Sequence, residues 1–263
     1  MGYNLPEGLK INPEKITEHL VKFISDELAQ TGYTALMLGV SGGVDSAVAA
    51  ALGARAINAA NVTGVIMPHA TSNPDNIEDA ENIIKMLGIN RRFVDITPMI
   101  EAYFSSHPTG DLNRRGNKMA RERMSILYDI SAEIKALVIG TSNKSEIMMG
   151  YGTLYGDLAC AFNPLGNLYK SQIRQLAEYL KIPQKIINKP PSADLWQGQT
   201  DEGELGLTYT KLDSFLYYLI DENCDNGELM KRGFSREFTD KLIAKIKANE
   251  FKRRLPRIAP LPD

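Results

Sequence analysis

The run Gly39-Val40-Ser41-Gly42-Gly43-Val44-Asp45-Ser46 combines small, hydroxylated and acidic side chains at a spacing that suits phosphate chemistry. Two adjacent glycines let the backbone turn tightly and bring unobstructed N–H groups up to an anion. A helix beginning there adds its N-terminal partial positive charge and free amides. Ser41 and Ser46 supply hydroxyl donors on either side. No Gly-Lys-Ser/Thr follows at Walker A spacing, and the three spaced glycines of a dinucleotide fingerprint are absent. The distinguishing residue is Asp45, a carboxylate inside the phosphate cradle. Such a carboxylate repels phosphate unless a cation bridges them, so Mg2+ between Asp45 and phosphate oxygens is the natural reading. A merely capped turn would not need both serines, both glycines and the acid together.

A cradle of this kind must hang between a strand and a helix, and the flanking residues provide both. Residues 33–40 form a short apolar run ending in glycines, which reads as a buried strand. Residues 45–60 are Ala-dominated without proline, which favours a helix packed closely on a sheet. Before them, Ile16, Leu20, Phe23, Ile24 and Leu28 recur at helical spacing. After them the expected order is a strand over 62–67, then a helix through Ile77, Ala80, Ile83, Ile84 and Leu87 that stops at Gly88, then a strand over 91–96. A helix over 98–106, a polar loop over 107–116, a helix over 117–132 and a fourth strand over 136–141 follow. Residues 171–181 read as a helix, 188–206 as a long Pro/Gly/Ser/Asp-rich loop, and 211–222 and 235–250 as terminal helices. Alternating strands and helices imply an α/β fold, a Rossmann-like three-layer αβα arrangement on a parallel sheet with right-handed crossovers. Residues 1–263 carry no repeat and no linker-like shift in composition, so one domain is expected.

Bulk properties exclude several classes. Hydrophobic residues at 43% and charged residues at 24% are globular values and rule out disordered and fibrous classes. A net charge of −2 argues against a non-specific nucleic-acid binder, so positive charge for anionic substrates must be local. The longest apolar stretches, such as 35–40, are far too short to span a membrane. Charges at Glu7, Lys10, Glu14 and Lys15 precede any apolar run, unlike a secretory signal. Two cysteines cannot make a disulfide framework, and a cytoplasmic address is the default. Cys160, flanked by alanines, reads as a buried structural cysteine, whereas Cys224 follows the surface-like run Asp221-Glu222-Asn223.

The stretch Ser41 to Ser46 resembles the signature of the ATP pyrophosphatases, which cleave ATP between the α and β phosphates; their fold is the adenine nucleotide alpha-hydrolase-like one. That signature is shared with GMP, asparagine and argininosuccinate synthetases, so it marks a superfamily and leaves the substrate open. Three later segments resemble the NAD+ synthetases: residues 116–124 (GNKMARERM), 140–146 (GTSNKSE), and 189–195 (KPPSADL) running on to Gln199-Thr200-Asp201-Glu202. The resemblance runs from about Leu36 to about Pro256. It implies an ammonia-dependent ligase that amidates deamido-NAD with ATP through an adenylated carboxylate, giving NAD+, AMP and pyrophosphate.

Residue by residue, the resemblance implies that Gly39, Val40, Ser41, Gly42, Gly43, Val44, Asp45 and Ser46 hold the ATP phosphates, joined by Thr141, Lys170 and Ser192. Asp45 and Glu146 would be Mg2+ ligands, Asp45 and Lys170 the catalytic pair, and Arg121 and Lys252 contacts to deamido-NAD. It also implies a homodimer. The chain departs from many members at Leu154, Ala161 and Phe251, where they carry a lysine, an aspartate and a histidine that touch deamido-NAD. Arg114, Arg115 and Lys144 are candidates, on charge alone, to replace those contacts. The loop over 188–206, with Ser192 and Asp194, is expected to close over the adenylate. Glutamine-dependent members carry an amidase domain ahead of the synthetase, and only some thirty residues precede the first strand here, so free ammonia is the expected nitrogen source.

Overall fold

Alternation along the central strand sorts the core onto two sides. In β1 (Ala35–Gly39), Leu36 and Leu38 face one apolar cluster while Met37 faces another, as a period-two strand buried on both faces requires. A computed structural model describes residues 5–191 and 206–261. Its sheet has four strands in the order β3-β2-β1-β4, all parallel, with β2 at Val62–Ile66, β3 at Asn90–Phe93 and β4 at Ala136–Val138.

On one face lie α1 (Pro13–Thr31), α2 (Val44–Ala56), α3 (Pro74–Leu87) and α7 (Lys170–Tyr179). The alanines of α2 are buried from Ala47 to Ala51, and their small size lets α1, α3 and α7 all approach the helix. On the other face α4 (Thr97–Ser106) and α5 (Leu112–Ile134) cover Met37, Val65 and Val138. The three-layer α/β expectation holds. A third cluster gathers the helices Tyr209–Leu216, Asn226–Lys231 and Arg236–Ala248 around Phe215 and Phe234, beside α6 (Lys144–Met149). Cys224 is buried in that cluster, against the surface-like reading of the run before it, and Cys160 is half-buried where burial was expected.

Several boundaries move for identifiable reasons. Helix α5 starts at Leu112, inside the stretch expected to be a loop, because Asp111 caps it by accepting from the Arg114 amide at 3.1 Å. β4 stops at Val138 because the chain then crosses to a neighbouring segment: Gly140 donates to the carbonyl of Phe162. The helix expected over 211–222 is two pieces, an α-helix to Leu216 and a wider π-turn over Tyr217–Asp221. The short helix Asn226–Lys231 was not expected, although its Asp225/Glu228 capping box is visible in the sequence. Most of the expected loop over 188–206 lies outside the described residues.

After β3 the chain crosses to the far side of β1 to form β4, so the order of strands reverses at β1. Open parallel sheets bind ligands at such a reversal, outside the carboxyl ends of the strands. Gly39 ends β1 at that point.

Candidate active site

The cradle is braced from within. The Ser46 hydroxyl donates to the Gly43 carbonyl at 3.0 Å and accepts from the Ser41 amide at 3.2 Å. Gly42 has φ +76°, and a Cβ there would lie 2.2 Å from the Asn76 carbonyl oxygen. Only glycine fits, since the left-handed backbone and the close approach of α3 both exclude a side chain. Gly43 caps α2, so Asp45 falls in its first turn.

Asp45 meets two residues distant in sequence. Its Oδ2 lies 2.5 Å from Lys170 Nζ, and its Oδ1 accepts from Asn143 Nδ2 at 2.8 Å. Lys170 Nζ also lies 3.2 Å from Glu146 Oε1. Asn143 is fully buried and caps α6 reciprocally with Glu146: its Oδ1 accepts from the Glu146 amide, and its own amide donates to Glu146 Oε2 at 3.3 Å. One asparagine thereby fixes both carboxylates. Lys170 opens α7 and is 3% exposed, a costly place for a cation that the two acids offset. Its backbone is tied down by Ser145, whose hydroxyl accepts from the Lys170 amide and donates to buried Asp213 at 2.6 Å. Burial pushes the Asp213 carboxyl above the ordinary range, against the bonds from Ser145 and Ser171 that lower it.

Two carboxylates converging on one cationic nitrogen form a hard-oxygen donor set of the kind Mg2+ takes. Among the described residues no group of three or more His, Cys, Asp or Glu could hold a metal.

A cavity of about 610 Å³ opens over the cradle, a volume that suits a nucleotide-sized ligand. Gly39, Val40, Ser41, Gly43, Val44, Asp45 and Ser46 line it, as do Thr141, Glu146, Lys170 and Lys252, while Gly42 is packed against α3 behind them. Ser192 and Asp194 lie outside the described residues. Arg121 is not part of the wall: it sits on the exposed side of α5, where its Nε donates to the Leu154 carbonyl at 3.3 Å. The wall side of α5 carries Asn113, Asn117, Ala120, Arg123, Met124 and Leu127. Arg114, Arg115 and Lys144 are not in the wall either; Arg115 pairs with Glu101, and Lys144 with Asp221 at 2.5 Å.

A family model described as NAD synthase matches residues 16–256. The chain belongs to that family. The NH(3)-dependent NAD(+) synthetase of Trichlorobacter lovleyi is 48% identical over 251 residues, covering 95% of this chain and 92% of the relative. Among solved structures, an NH3-dependent NAD synthetase from Campylobacter jejuni superposes with a TM-score of 0.82 at 37% identity, covering 95% of this chain and all of that one (100%). An NMN synthetase from Francisella tularensis superposes with a TM-score of 0.85 at 34% identity, covering 96% and 100%.

Opposite the cradle, the cavity of this NAD synthase family member has a second wall, of which the sequence reading named Lys252 and not Asp157 or Arg123. Lys252 Nζ donates to the carbonyls of Gly150 and Gly152 at 2.7 and 2.9 Å, at the C-terminal end of α6 where a cation is favoured. Burial lowers its pKa, while Asp157 works to raise it. Asp157 opens onto the cavity but is ringed by protein, and that loss of solvent pushes its carboxyl up. The Thr153 amide bond and the charges of Lys252 and Arg123 pull the other way. Arg123 Nε also donates to the Met67 carbonyl at 2.9 Å. The sequence signal for this face was the three-and-four spacing of Asn113, Asn117, Ala120, Met124 and Leu127 along one helix.

Proposed function

We propose that this chain joins ammonia to the nicotinate carboxylate of deamido-NAD at the expense of ATP, releasing NAD+, AMP and pyrophosphate. The observation that carries this reading is the convergence of Asp45, Glu146 and Lys170 beside a glycine-turned anion cradle in a NAD synthase family member. A bare nucleotide sensor has little use for two carboxylates at its phosphates. ATP phosphates would lie in the cradle of residues 39–46, on the amides at the Gly42 turn and the start of α2, since those of Val40 and Ser41 already bond to Val65 and Ser46. Thr141 would contribute at the end of the cavity near β4, and Ser192 follows from the resemblance.

Asp45 and Glu146 would hold Mg2+, which supplies charge neutralisation to the phosphate oxygens when bound. Lys170, released toward the nucleotide, would offset charge gathering on the departing pyrophosphate. The substrate carboxylate oxygen forms a bond to the α-phosphorus as the bond to the β-phosphate oxygen breaks. Ammonia then attacks the activated carbonyl carbon, the bond to AMP breaks, and the surplus proton passes to solvent. No enzyme nucleophile is needed, since every leaving group comes from the substrates.

Free ammonia is the proposed nitrogen donor and one synthetase domain the proposed working unit, in keeping with relatives matched over nearly their whole length. A homodimer fits the outer face of α4 and α5, where Met99, Tyr103 and Tyr128 stay exposed and Arg121 lies two turns before Tyr128. On that reading Arg121 and Lys252 meet deamido-NAD from two sides of the site. Among the described residues no helix is long and apolar enough to cross a membrane, and a cytoplasmic setting is the proposed one.

The test is NAD+ formation from deamido-NAD, ATP, Mg2+ and ammonium, followed with pyrophosphate release. Nicotinate mononucleotide as acceptor and ammonia-scrubbed glutamine as donor provide the contrasting arms. Faster amidation of the mononucleotide would move the assignment to NMN synthesis, and robust turnover on glutamine would remove the ammonia reading.

A further inference from the structure

The phosphate cradle is held from outside by a cluster that the reaction chemistry does not use. Asp79, on α3, is 2% exposed, yet it is a carboxylate on the sheet side of the molecule with no catalytic acid as a neighbour. Its Oδ2 accepts from Lys189 and its Oδ1 lies 2.9 Å from Lys185 Nζ. Burial works to raise its pKa, but the hydrogen bonds from Lys189 and Lys185 win and hold the carboxyl below the ordinary range. Lys189 Nζ has two further partners: Asn76 Oδ1 at 2.8 Å and the carbonyl oxygen of Gly42 at 3.2 Å. An ammonium has three protons to donate, and here Asp79, Asn76 and Gly42 take all three. Lys189 lines the cavity beside Gly43 and Asn76, but its protons point into protein.

Gly42 is the residue at which the cradle turns, and the Asn76 backbone sits where its side chain would be. Three contacts therefore bear on one peptide: α3 blocks it sterically, Lys189 holds its carbonyl, and its Gly43 amide makes a long bond of 3.4 Å to the Ser41 hydroxyl. Turning that carbonyl turns the Gly43 amide on the other side of the same planar unit. We propose that Asp79, acting through Lys189, is a positioning residue for ATP: it orients the Gly42–Gly43 peptide so that the cradle amides are preset for phosphate. The pair acts on the nucleotide and not on the acceptor, because its contacts end at the cradle. This rests on the reading of residues 39–46 as the ATP phosphate site.

The test compares Asp79→Asn, Lys189→Met and the double variant with Lys185→Met, measuring KM for ATP, KM for deamido-NAD, kcat and Tm. Asp79→Asn and Lys189→Met should each raise KM for ATP about tenfold, the scale of one charge-assisted hydrogen bond, with KM for deamido-NAD nearly unchanged. The double variant should be no worse than the poorer single one, since both break the same link. Lys185→Met, which removes the exposed partner of Asp79 and leaves Gly42 untouched, should keep the wild-type KM for ATP. Equal rises in both KM values, additive losses, or a lower Tm with unchanged KM for ATP would overturn the proposal and leave Asp79 a stability residue. Should Asp79→Asn not fold, Lys189→Met against Lys185→Met carries the same decision. Calorimetric titration with ATP separates the two layers of inference: wild type that binds no ATP sinks the phosphate-site reading, whereas equal binding by wild type and Lys189→Met sinks the brace alone.

Discussion

The two ends of the cavity are built in opposite ways. At the cradle end, each functional group is fixed by a neighbour that is itself fixed: Asp45 by Asn143 and Lys170, Glu146 by Asn143, Lys170 by Ser145, and Ser145 by buried Asp213. At the far end, Lys252 and Arg123 bond to main-chain carbonyls, Asp157 opens to the cavity, and Arg121 stands outside it. The difference follows from what each end has to do. Charge that appears briefly on a triphosphate is stabilised only by groups already in place, since reorganising them would consume the benefit. A large acceptor can be held by many weak contacts, each of which tolerates movement or replacement.

This contrast predicts unequal losses. Asp45→Asn should fold with a lowered Tm, because buried Lys170 is left with Glu146 as its acid, and lose at least about 10²-fold in kcat, the scale of one strong transition-state contact. Wild-type turnover would remove Asp45 from the chemistry. Because Asn143 serves both carboxylates, Asn143→Ala should cost more than a lost helix cap, which amounts to about 1 kcal/mol of stability. A fall in kcat of about tenfold or more is expected besides, with a weaker response to added Mg2+. If Asn143→Ala changes Tm but neither kcat nor the Mg2+ dependence, the asparagine is only a cap.

The far end should respond in KM. Arg121→Ala is expected to raise KM for deamido-NAD several-fold, about 1 kcal/mol for a partly solvated contact, while leaving KM for ATP alone. Dilution should mimic that change if the residue works across a dimer. An equal rise in both KM values would make Arg121 a structural residue tied to the Leu154 carbonyl.

The same contrast explains what the sequence disclosed. The cradle was legible because glycine at positive φ, two serines and a misplaced acid have few other uses in one turn. Asp45, Glu146 and Lys170, expected from the sequence to share a site, line one cavity, whereas the asparagine that joins them carries no such signal, since a capping residue looks the same whether or not it serves a site. The longer helices follow from periodicity and capping, whereas the short helix Asn226–Lys231 is too brief to show a period, and the start of α5 is hidden because Gly116 and the charges near it mimic a loop. Arg121 and Arg123 could not be told apart from local composition. They differ in which side of α5 they occupy, and that is decided by packing against β1 and β4. Lys189 and Asp79 are 110 positions apart, and no spacing rule joins them.

The smallest expected effect probes the open character of the far end. The Asp157 carboxyl is held above its ordinary pKa, so the folded protein keeps its proton to higher pH than the unfolded chain does. Below the unfolded pKa both states are protonated and the full contribution of the group to stability is present. As pH rises through the folded pKa that contribution is lost, because ionisation is harder in the fold than outside it. Asparagine cannot ionise, and its carbonyl can still accept the bond from the Thr153 amide that Asp157 accepts at 2.6 Å. Asp157→Asn should therefore gain on wild type as pH climbs from the carboxylate range toward neutrality. Cavity water screens the charge, which limits the change in the Tm gap to at most about 2–4 °C. Thermal melts of both proteins across that range measure it. A gap that widens in favour of wild type would mean that Lys252 and Arg123 stabilise the carboxylate more than its surroundings penalise it, and the far end would then be as tightly paired as the cradle.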